Sequence, residues 1–227
     1  MSIPGGREAL LFDLDGTLVD SVPDMADAVD RTLEHFGLPP AGEERVRIWV
    51  GDGAREMLVR ALDGGAGTPP DEAVLDEALA IFLDCYRQRL YVRSRVYPGV
   101  REGLDRLAEA GYRMACVTNK REFMARGLVA AAGLDHRLPI VVGSDTTESR
   151  KPSPVPLRHA LELLGVPVSG ALMVGDSGTD VAAARNAGMP VVCVPYGYNR
   201  GIDIHEAGAD LVVDDMMALY TLLQAAA

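Results

Sequence analysis

Residues 11–21 read LFDLDGTLVDS, and this stretch decides how the rest of the chain is interpreted. It completes an apolar run that begins at residue 8, and it places Asp13 and Asp15 one residue apart, just before Gly16. A short apolar segment that ends at Asp-Gly is typical of a buried parallel strand. Two neighbouring carboxylates repel each other and are costly to bury. A strand at 8–14 that ends in such a pair therefore indicates a cation site, or chemistry, at that end of the strand.

The segment after this strand has a helical pattern throughout. The spacing of apolar residues predicts helices over 22–36 and 72–90, and two short helices within 43–62 that are split around residues 50–53. No strand is predicted between residue 22 and about residue 91. The first strand is therefore followed by a helical insertion.

The rest of the chain alternates between strands and helices, which implies a parallel sheet covered on both faces. Strands are predicted at 113–119, 139–143, 171–176, 190–194 and 209–213, with helices at 121–133, 154–164, 179–188 and after 213. The predicted fold class is α/β. A Rossmann-like parallel sheet forms the core from residues 1–20 and 96–227, and a helical cap domain at 21–95 is inserted after the first strand.

Composition excludes several classes of protein. The formal net charge of −11 makes the chain a poor candidate for binding nucleic acid or an anionic membrane. No run of 18 uncharged apolar residues is present, and the first residues lack the pattern of a secretion signal. The three cysteines are far apart and suggest neither disulfides nor a zinc site. We expect a reduced, cytoplasmic protein, either a monomer or a homodimer.

The use of basic residues is uneven. Of the 22 basic residues only two, Lys120 and Lys151, are lysines. A planar guanidinium does not replace a compact ammonium at every site. The count therefore points to a need for lysine at these two positions.

Polar side chains follow several of the predicted strands. Ligands of open parallel sheets bind beyond the carboxyl ends of the strands. The residues expected to join Asp13 and Asp15 at this edge are Thr118, Asn119, Lys151, Asp176 and Asp180. Taken singly, each has a plainer interpretation, such as a solvated turn, a strand-end cap or a surface lysine. Their convergence on one edge favours a chemical role.

These residue types suit phosphoryl transfer. Carboxylate oxygens are the hard donors that Mg²⁺ prefers. Asp13 can attack phosphorus to give an aspartyl-phosphate, while Asp15 protonates the leaving oxygen and later takes a proton from water. Thr118 and Lys151 can bind and stabilise the transferring group. The sequence therefore predicts a Mg²⁺-dependent phosphatase.

Four stretches, FDLDGTLVDS, VTNK, the lysine of SRKPSP, and GDSGTD, resemble the four ordered motifs of haloacid dehalogenase-like phosphatases. The resemblance covers essentially the whole chain, including the inserted cap. It implies that Asp13 is the nucleophile and Asp15 the general acid and base. It also implies that Mg²⁺ is held by the Asp13 carboxylate, the Asp15 backbone carbonyl and Asp176.

The same resemblance implies roles for the remaining motif residues. Asp180 would either orient a metal-bound water or hold Lys151. The residues that would bind the substrate phosphate are Gly16, Thr118, Asn119 and Lys151.

Two further stretches, WVGDGAREML (49–58) and PYGYNRGIDI (195–204), resemble the bacterial members of this family that act on 2-phosphoglycolate. The glycines in the first stretch would let backbone approach a small substrate. Arg55 could then pair with the substrate carboxylate. The alternative for Arg55 is a salt bridge with a cap acid such as Asp52.

Other functions stay open at this point. The substrate could be another small phosphorylated metabolite, and the enzyme a phosphatase or a phosphomutase. A phosphonate-cleaving relative would need a lysine in its cap, and residues 22–91 contain none. A phospho-accepting regulatory domain is shorter and lacks a cap, and a non-catalytic interaction protein would have no reason to gather like charges. The cap is expected to open and close on hinges near 19–22 and 93–98.

Overall fold

The computed structural model describes residues 6–64 and 67–225. In chain order the elements are β1 (Ala9–Phe12), β2 (Val19–Asp20), α1 (Val22–His35), α2 (Gly42–Trp49), α3 (Ala54–Asp63), α4 (Glu72–Arg87), β3 (Arg95–Val96), α5 (Val100–Glu109), β4 (Arg113–Val117), α6 (Glu122–Ala131), β5 (Ile140–Val142), α7 (Val155–Leu164), β6 (Ala171–Gly175), α8 (Gly178–Ala187), β7 (Val191–Cys193), β8 (Leu211–Val212) and α9 (Met216–Ala225).

Six strands form one parallel sheet in the order β5-β4-β1-β6-β7-β8. Strand β1 lies in the middle, where Phe12 pairs with Cys116 of β4 and Val174 of β6. Successive side chains of a strand point to opposite faces. Leu10 and Phe12 pack towards α5, α6 and α9, while Ala9 and Leu11 pack towards α7 and α8. The predicted α/β fold with a parallel sheet is confirmed.

Helices α1–α4, called the cap helices below, build a separate apolar cluster. It includes Val22, Leu58 and Phe82, together with two residues from the sheet-bearing part of the chain, Met124 and Tyr198. The predicted helices and the break at residues 50–53 all appear in this region. Met124 lies on α6 and Tyr198 in the segment after β7, so the cap helices pack against these two parts of the core.

A two-stranded antiparallel ribbon joins the cap helices to the rest of the chain and was not predicted from the pattern. In it β2 pairs with β3, with Val19 opposite Val96. The fully buried Asp24 of α1 fixes the returning chain, since its carboxylate accepts hydrogen bonds from the backbone N–H groups of Val92, Arg93 and Ser94. Two-residue strands carry no readable periodicity, so only the position of this crossing was predictable.

Helix α5 lies in a stretch, residues 100–112, for which the sequence motifs give no element. Its apolar residues Val100, Leu104 and Leu107 have helical spacing and are buried. Gly103 interrupts the pattern because α9 packs closely there: an added Cβ would lie 2.5 Å from the Cβ of Met216. No helix within the described residues is long and apolar enough to cross a membrane.

Candidate active site

Lys151 joins two carboxylates at the carboxyl edge of the sheet. Its Nζ lies 2.9 Å from Oδ1 of Asp13, which follows β1, and 2.7 Å from Oδ1 of Asp180, which lies in the first turn of α8. The Lys151 side chain is 2% exposed and that of Asp180 is fully buried, while Asp13 is 14% exposed. The ammonium therefore partly offsets the charge of both acids in a site shielded from water.

Asp13, Asp176 and Asp180 form a cluster in which one oxygen from each carboxylate lies within 4.8 Å of the others. Burial raises the pKa of Asp13 to about 7, although the charge of Lys151 opposes the shift. Burial, followed by the charges of Asp180 and Asp13, raises the pKa of Asp176 well above its usual value. The cluster thus carries more negative charge than Lys151 balances, and a bound cation would stabilise its ionised form.

The cluster fits Mg²⁺, because its donors are carboxylate oxygens, which suit that ion. Asp13 and Asp176 are the side chains that the motif resemblance predicts as its ligands. Oδ1 of Asp180 accepts a hydrogen bond from Nζ of Lys151 at 2.7 Å, and Oδ2 accepts one from the hydroxyl of Ser177 at 2.7 Å. Of the two roles considered for Asp180, the geometry therefore supports the one in which it holds Lys151.

Two glycines enclose Asp176. A Cβ added at either Gly16 or Gly197 would lie 2.2 Å from Oδ2 of Asp176. Gly16 also has a φ of +90°, which other residues rarely adopt. Its backbone N–H, expected from the motif to bind phosphate, donates instead to the carbonyl of Val19 at 3.0 Å. The structure therefore gives Gly16 a steric role beside the carboxylate.

Asp176 is also held by two donors that the strand-end pattern did not single out. The hydroxyl of Thr17 donates to Oδ1 at 2.7 Å, and the backbone N–H of Tyr198 donates to Oδ2 at 2.6 Å. Donors on both oxygens fix the carboxylate, which prepares it for a metal. Tyr198 lies in the stretch 195–204, so that stretch contributes to the core site.

Asp15 is paired with the other lysine of the chain. Lys120 Nζ lies 2.9 Å from Oδ1 and 2.8 Å from Oδ2 of Asp15, and the hydroxyl of Ser21 also donates to Oδ1. This carboxylate lies outside the three-acid cluster. Proton transfer by Asp15 and metal binding through its backbone carbonyl stay predictions. The motifs assign no role to Lys120. The signal that pointed to it in the sequence is that it is one of only two lysines.

The two residues after β4 face the site differently. Thr118 lines the cavity above Asp13, and its hydroxyl accepts a hydrogen bond from the backbone N–H of Lys120 at 3.1 Å. Asn119 also lines the cavity, but its side-chain N–H₂ group donates to the backbone carbonyls of Gly51 and Lys151, each at 3.0 Å. The Asn119 amide therefore joins the cap loop to the segment that carries Lys151.

A cavity of about 330 Å³ separates the cap helices from the sheet edge. Asp13, Asp15 and Thr118 lie on its core side. Its cap side is mostly apolar and includes Met25, Val50, Met57, Leu79, Phe82, Leu83 and Tyr86. Asp13 and Asp15 therefore face a mostly apolar cap surface across this cavity.

Arg55 lines this cavity, as expected, yet its guanidinium is already paired. It contacts Glu72 and, at 2.6 Å, Asp76, both on α4. The alternative partner considered for it, Asp52, pairs instead with Arg60 and Arg200. Arg55 thus links α3 to α4 at the cavity wall, and contact with a substrate stays a prediction.

Polar contacts between the cap and the core lie around the site. Besides the bond from Asn119 to Gly51, Arg150 pairs with Glu56, and Arg200 pairs with Asp52. Each joins a cap residue to a residue beyond the end of the sheet. These contacts keep the cap over the cavity.

Comparison with known proteins bears on this site. Residues 10–194 match the family model described as haloacid dehalogenase-like hydrolase. A protein named phosphoglycolate phosphatase from Nitrosococcus oceani is 44% identical over 97% of this chain and 98% of its own, and one of the same name from Nitrosospira multiformis is 41% identical over 99% of both. The crystal structure of a predicted phosphoglycolate phosphatase from Haemophilus somnus is 34% identical with a TM-score of 0.89, covering 96% of this chain and 98% of that one.

Proposed function

Because the chain belongs to the haloacid dehalogenase-like hydrolase family, we propose that it is a Mg²⁺-dependent phosphatase that converts 2-phosphoglycolate to glycolate and phosphate. The observation that carries the reaction type is the pair of acids on the cavity floor, Asp13 held by Lys151 and Asp15 held by Lys120. The names of the relatives support the choice of substrate.

The chemistry proceeds in two displacements at phosphorus. A carboxylate oxygen of Asp13 attacks, the ester P–O bond breaks, and the leaving oxygen keeps the electron pair and takes a proton from Asp15. A water molecule then attacks the aspartyl-phosphate while Asp15 accepts its proton, which releases phosphate and restores Asp13. Lys151 and the hydroxyl of Thr118 stabilise charge on the transferring group.

Mg²⁺, when bound, supplies positive charge beside the transferring phosphoryl group. Asp13 and Asp176 would hold it through their side chains, and Asp15 through its backbone carbonyl. Asp180 fixes Lys151. Phosphate is bound by Thr118 and Lys151, with Gly16 and Asn119 serving mainly to shape the site.

We propose that the substrate enters the cavity when the predicted cap moves away from the core. A cap at 21–95 would move relative to a core at 1–20 and 96–227, on the β2–β3 ribbon where the chain crosses between them. Closure excludes water that would compete with the substrate. We place this enzyme in the cytoplasm as a monomer or a homodimer, with a small phosphorylated metabolite as its partner and neither nucleic acid nor membrane.

The first test is phosphate release from a panel of small phosphomonoesters, with and without Mg²⁺. We expect the highest kcat/KM on 2-phosphoglycolate, and loss of turnover with EDTA or with Asp13→Asn, by on the order of 10⁴-fold or more for the substitution. The control substitution Asp84→Asn lies on the outer part of α4 and should leave activity unchanged.

The other outcomes separate the alternatives. The highest activity could instead be on a larger ester and be lost with EDTA and with Asp13→Asn. That result would support the mechanism and indicate that the apolar cap side of the cavity selects the substrate. No turnover by folded, Mg²⁺-loaded protein would contradict a phosphatase. A long-lived phosphorylated Asp13 after treatment with acetyl phosphate would then support the regulatory alternative.

A further inference from the structure

Lys120 occupies a position between the core and the cap. It follows β4, and its side chain is 7% exposed. On the core side its Nζ contacts both oxygens of Asp15. On the cap side it lies 4.8 Å from the centre of the Tyr86 ring, on α4, and 3.8 Å from the sulfur of Met25, on α1.

The charge on Lys120 persists in this setting. Burial acts to lower the pKa of Lys120, but the charge of Asp15 together with the hydrogen bonds and the remaining charge around the ammonium raises that pKa above its usual value. Burial also raises the pKa of Tyr86 to about 12, so that ring is neutral. The hydroxyl of Tyr86 has no hydrogen-bond partner among the described residues, so the ring face is what it offers to the ammonium. A desolvated cation over an aromatic ring is stabilised by the negative charge of the ring face.

The contact with both oxygens fixes the rotation of the Asp15 carboxyl group. Tyr86 and Met25 belong to the cap helices, whereas Asp15 and Lys120 lie at the sheet edge. Moving the cap away would return the ammonium to water and weaken its bond to Asp15, because charge pairs are weaker in a high dielectric. The orientation of Asp15 thus depends on a residue that the cap covers.

We infer that Lys120 is a positioning residue that holds the general acid and base, Asp15, in its reactive orientation when Tyr86 closes over it. This inference rests on the proposed phosphatase activity. It gives the cap a part in the proton transfer as well as in the exclusion of water. It also gives a role to one of the two lysines of a chain whose other basic residues are arginines.

The test separates positioning from a general loss of structure by varying the leaving group. An aliphatic alkoxide needs a proton as it leaves, whereas 4-nitrophenolate hardly does. For Lys120→Met we expect kcat/KM on 2-phosphoglycolate to fall about 100-fold, in the range of general acid catalysis. On 4-nitrophenyl phosphate it should fall less than about fivefold. Using kcat/KM limits the readout to the first displacement, and the ratio of the two losses is independent of how much protein is folded.

Three further variants complete the design. Tyr86→Leu should change the same ratio in the same direction by about tenfold, and Tyr86→Phe, which keeps the ring, by less than Tyr86→Leu. The control Arg126→Met removes an exposed cation on α6 that pairs with neighbouring Glu122 and donates to a backbone carbonyl. It should leave kcat/KM on both substrates unchanged.

Equal losses on the two substrates in Lys120→Met would overturn the inference, as would no loss on either. A changed ratio in Lys120→Met but an unchanged one in Tyr86→Leu would overturn the part played by the cap. If the wild-type protein acts on another aliphatic ester instead of 2-phosphoglycolate, that ester takes its place in the comparison. The substrate proposal would then have failed while this inference is still tested.

Discussion

The sheet edge and the cap face the same cavity but are built differently. At the edge, the charged groups are buried and each has fixed partners, such as Lys151 between Asp13 and Asp180. On the cap, charges lie near the surface, with Arg55 34% and Glu56 34% exposed, and the cavity wall between them is apolar. Buried pairs are sensitive to any displacement, whereas exposed pairs contribute little. Changes at the edge should therefore abolish chemistry, and changes on the cap should adjust affinity.

Among substitutions that leave every charged residue unchanged, Gly197→Ala should have the largest effect. The new Cβ would lie 2.2 Å from Oδ2 of Asp176 and force that carboxylate to move. We expect Mg²⁺ affinity and kcat to fall by roughly 10–100-fold, the usual cost of disturbing the residues behind a metal ligand. Calorimetric titration with Mg²⁺ and steady-state kinetics measure the two effects.

The matched control is Gly178→Ala, at the first position of α8. The nearest atom to an added Cβ there is Oδ1 of Asn199 at 4.0 Å. The φ of Gly178 is not positive, so alanine can adopt the same backbone conformation. This variant should bind Mg²⁺ and turn over substrate as the wild type does. Equal behaviour of the two alanine variants would show that Asp176 is not the rigid ligand described above.

The second prediction concerns pH and uses the raised pKa of Asp13, about 7, together with that of Asp176. A carboxyl group whose pKa is higher in the folded than in the unfolded state favours folding at low pH, and this contribution is lost as pH rises through the folded pKa. The metal-free protein should therefore lose stability between about pH 4 and pH 7. Thermal unfolding across this range measures the loss.

Mg²⁺ must displace the same protons, so its dissociation constant should rise as pH falls below 7, up to about tenfold per pH unit for each proton displaced. Calorimetry in buffers of different ionisation enthalpy counts the protons released. Asp13→Asn should reduce that number. A dissociation constant that does not change between pH 6 and pH 8 would contradict the cluster as the metal site.

The difference between the sheet edge and the cap also explains which site residues could be predicted from the sequence. Residues at strand ends are brought together by the topology of a parallel sheet, so Asp13, Asp176 and Lys151 could be placed from the strand pattern alone. The partners of Arg55 could not, because they depend on how α3 packs against α4. Gly197 could not be predicted either, because its role is its close contact with Asp176. Such a contact exists only in the folded chain and leaves no pattern in the neighbouring sequence.

On the cap, the prediction for Arg55 comes next in size. If its guanidinium binds the substrate carboxylate, Arg55→Met should raise KM about tenfold and change kcat little, because the contact is the same in the ground and transition states. The control is Arg87→Met, which removes an exposed arginine of α4 paired with Asp84. If the two variants have the same KM, Arg55 serves only to join α3 to α4 through Glu72 and Asp76.

The smallest effect should come from the ion pairs that hold the cap closed. Glu56→Gln removes the partner of Arg150, an exposed pair worth about 0.2–1 kcal/mol. Because closure and substrate binding are coupled, KM should rise up to about fivefold at low ionic strength. The ratio of variant to wild-type KM should approach one near 1 M salt, where charges are screened over about 3 Å. The control Glu77→Gln removes a cap charge that faces His35 rather than the core, and its ratio should stay near one throughout. A salt-independent rise for Glu56→Gln would mean that Glu56 contributes to the cavity wall directly, and closure would then depend on the apolar cap surface alone.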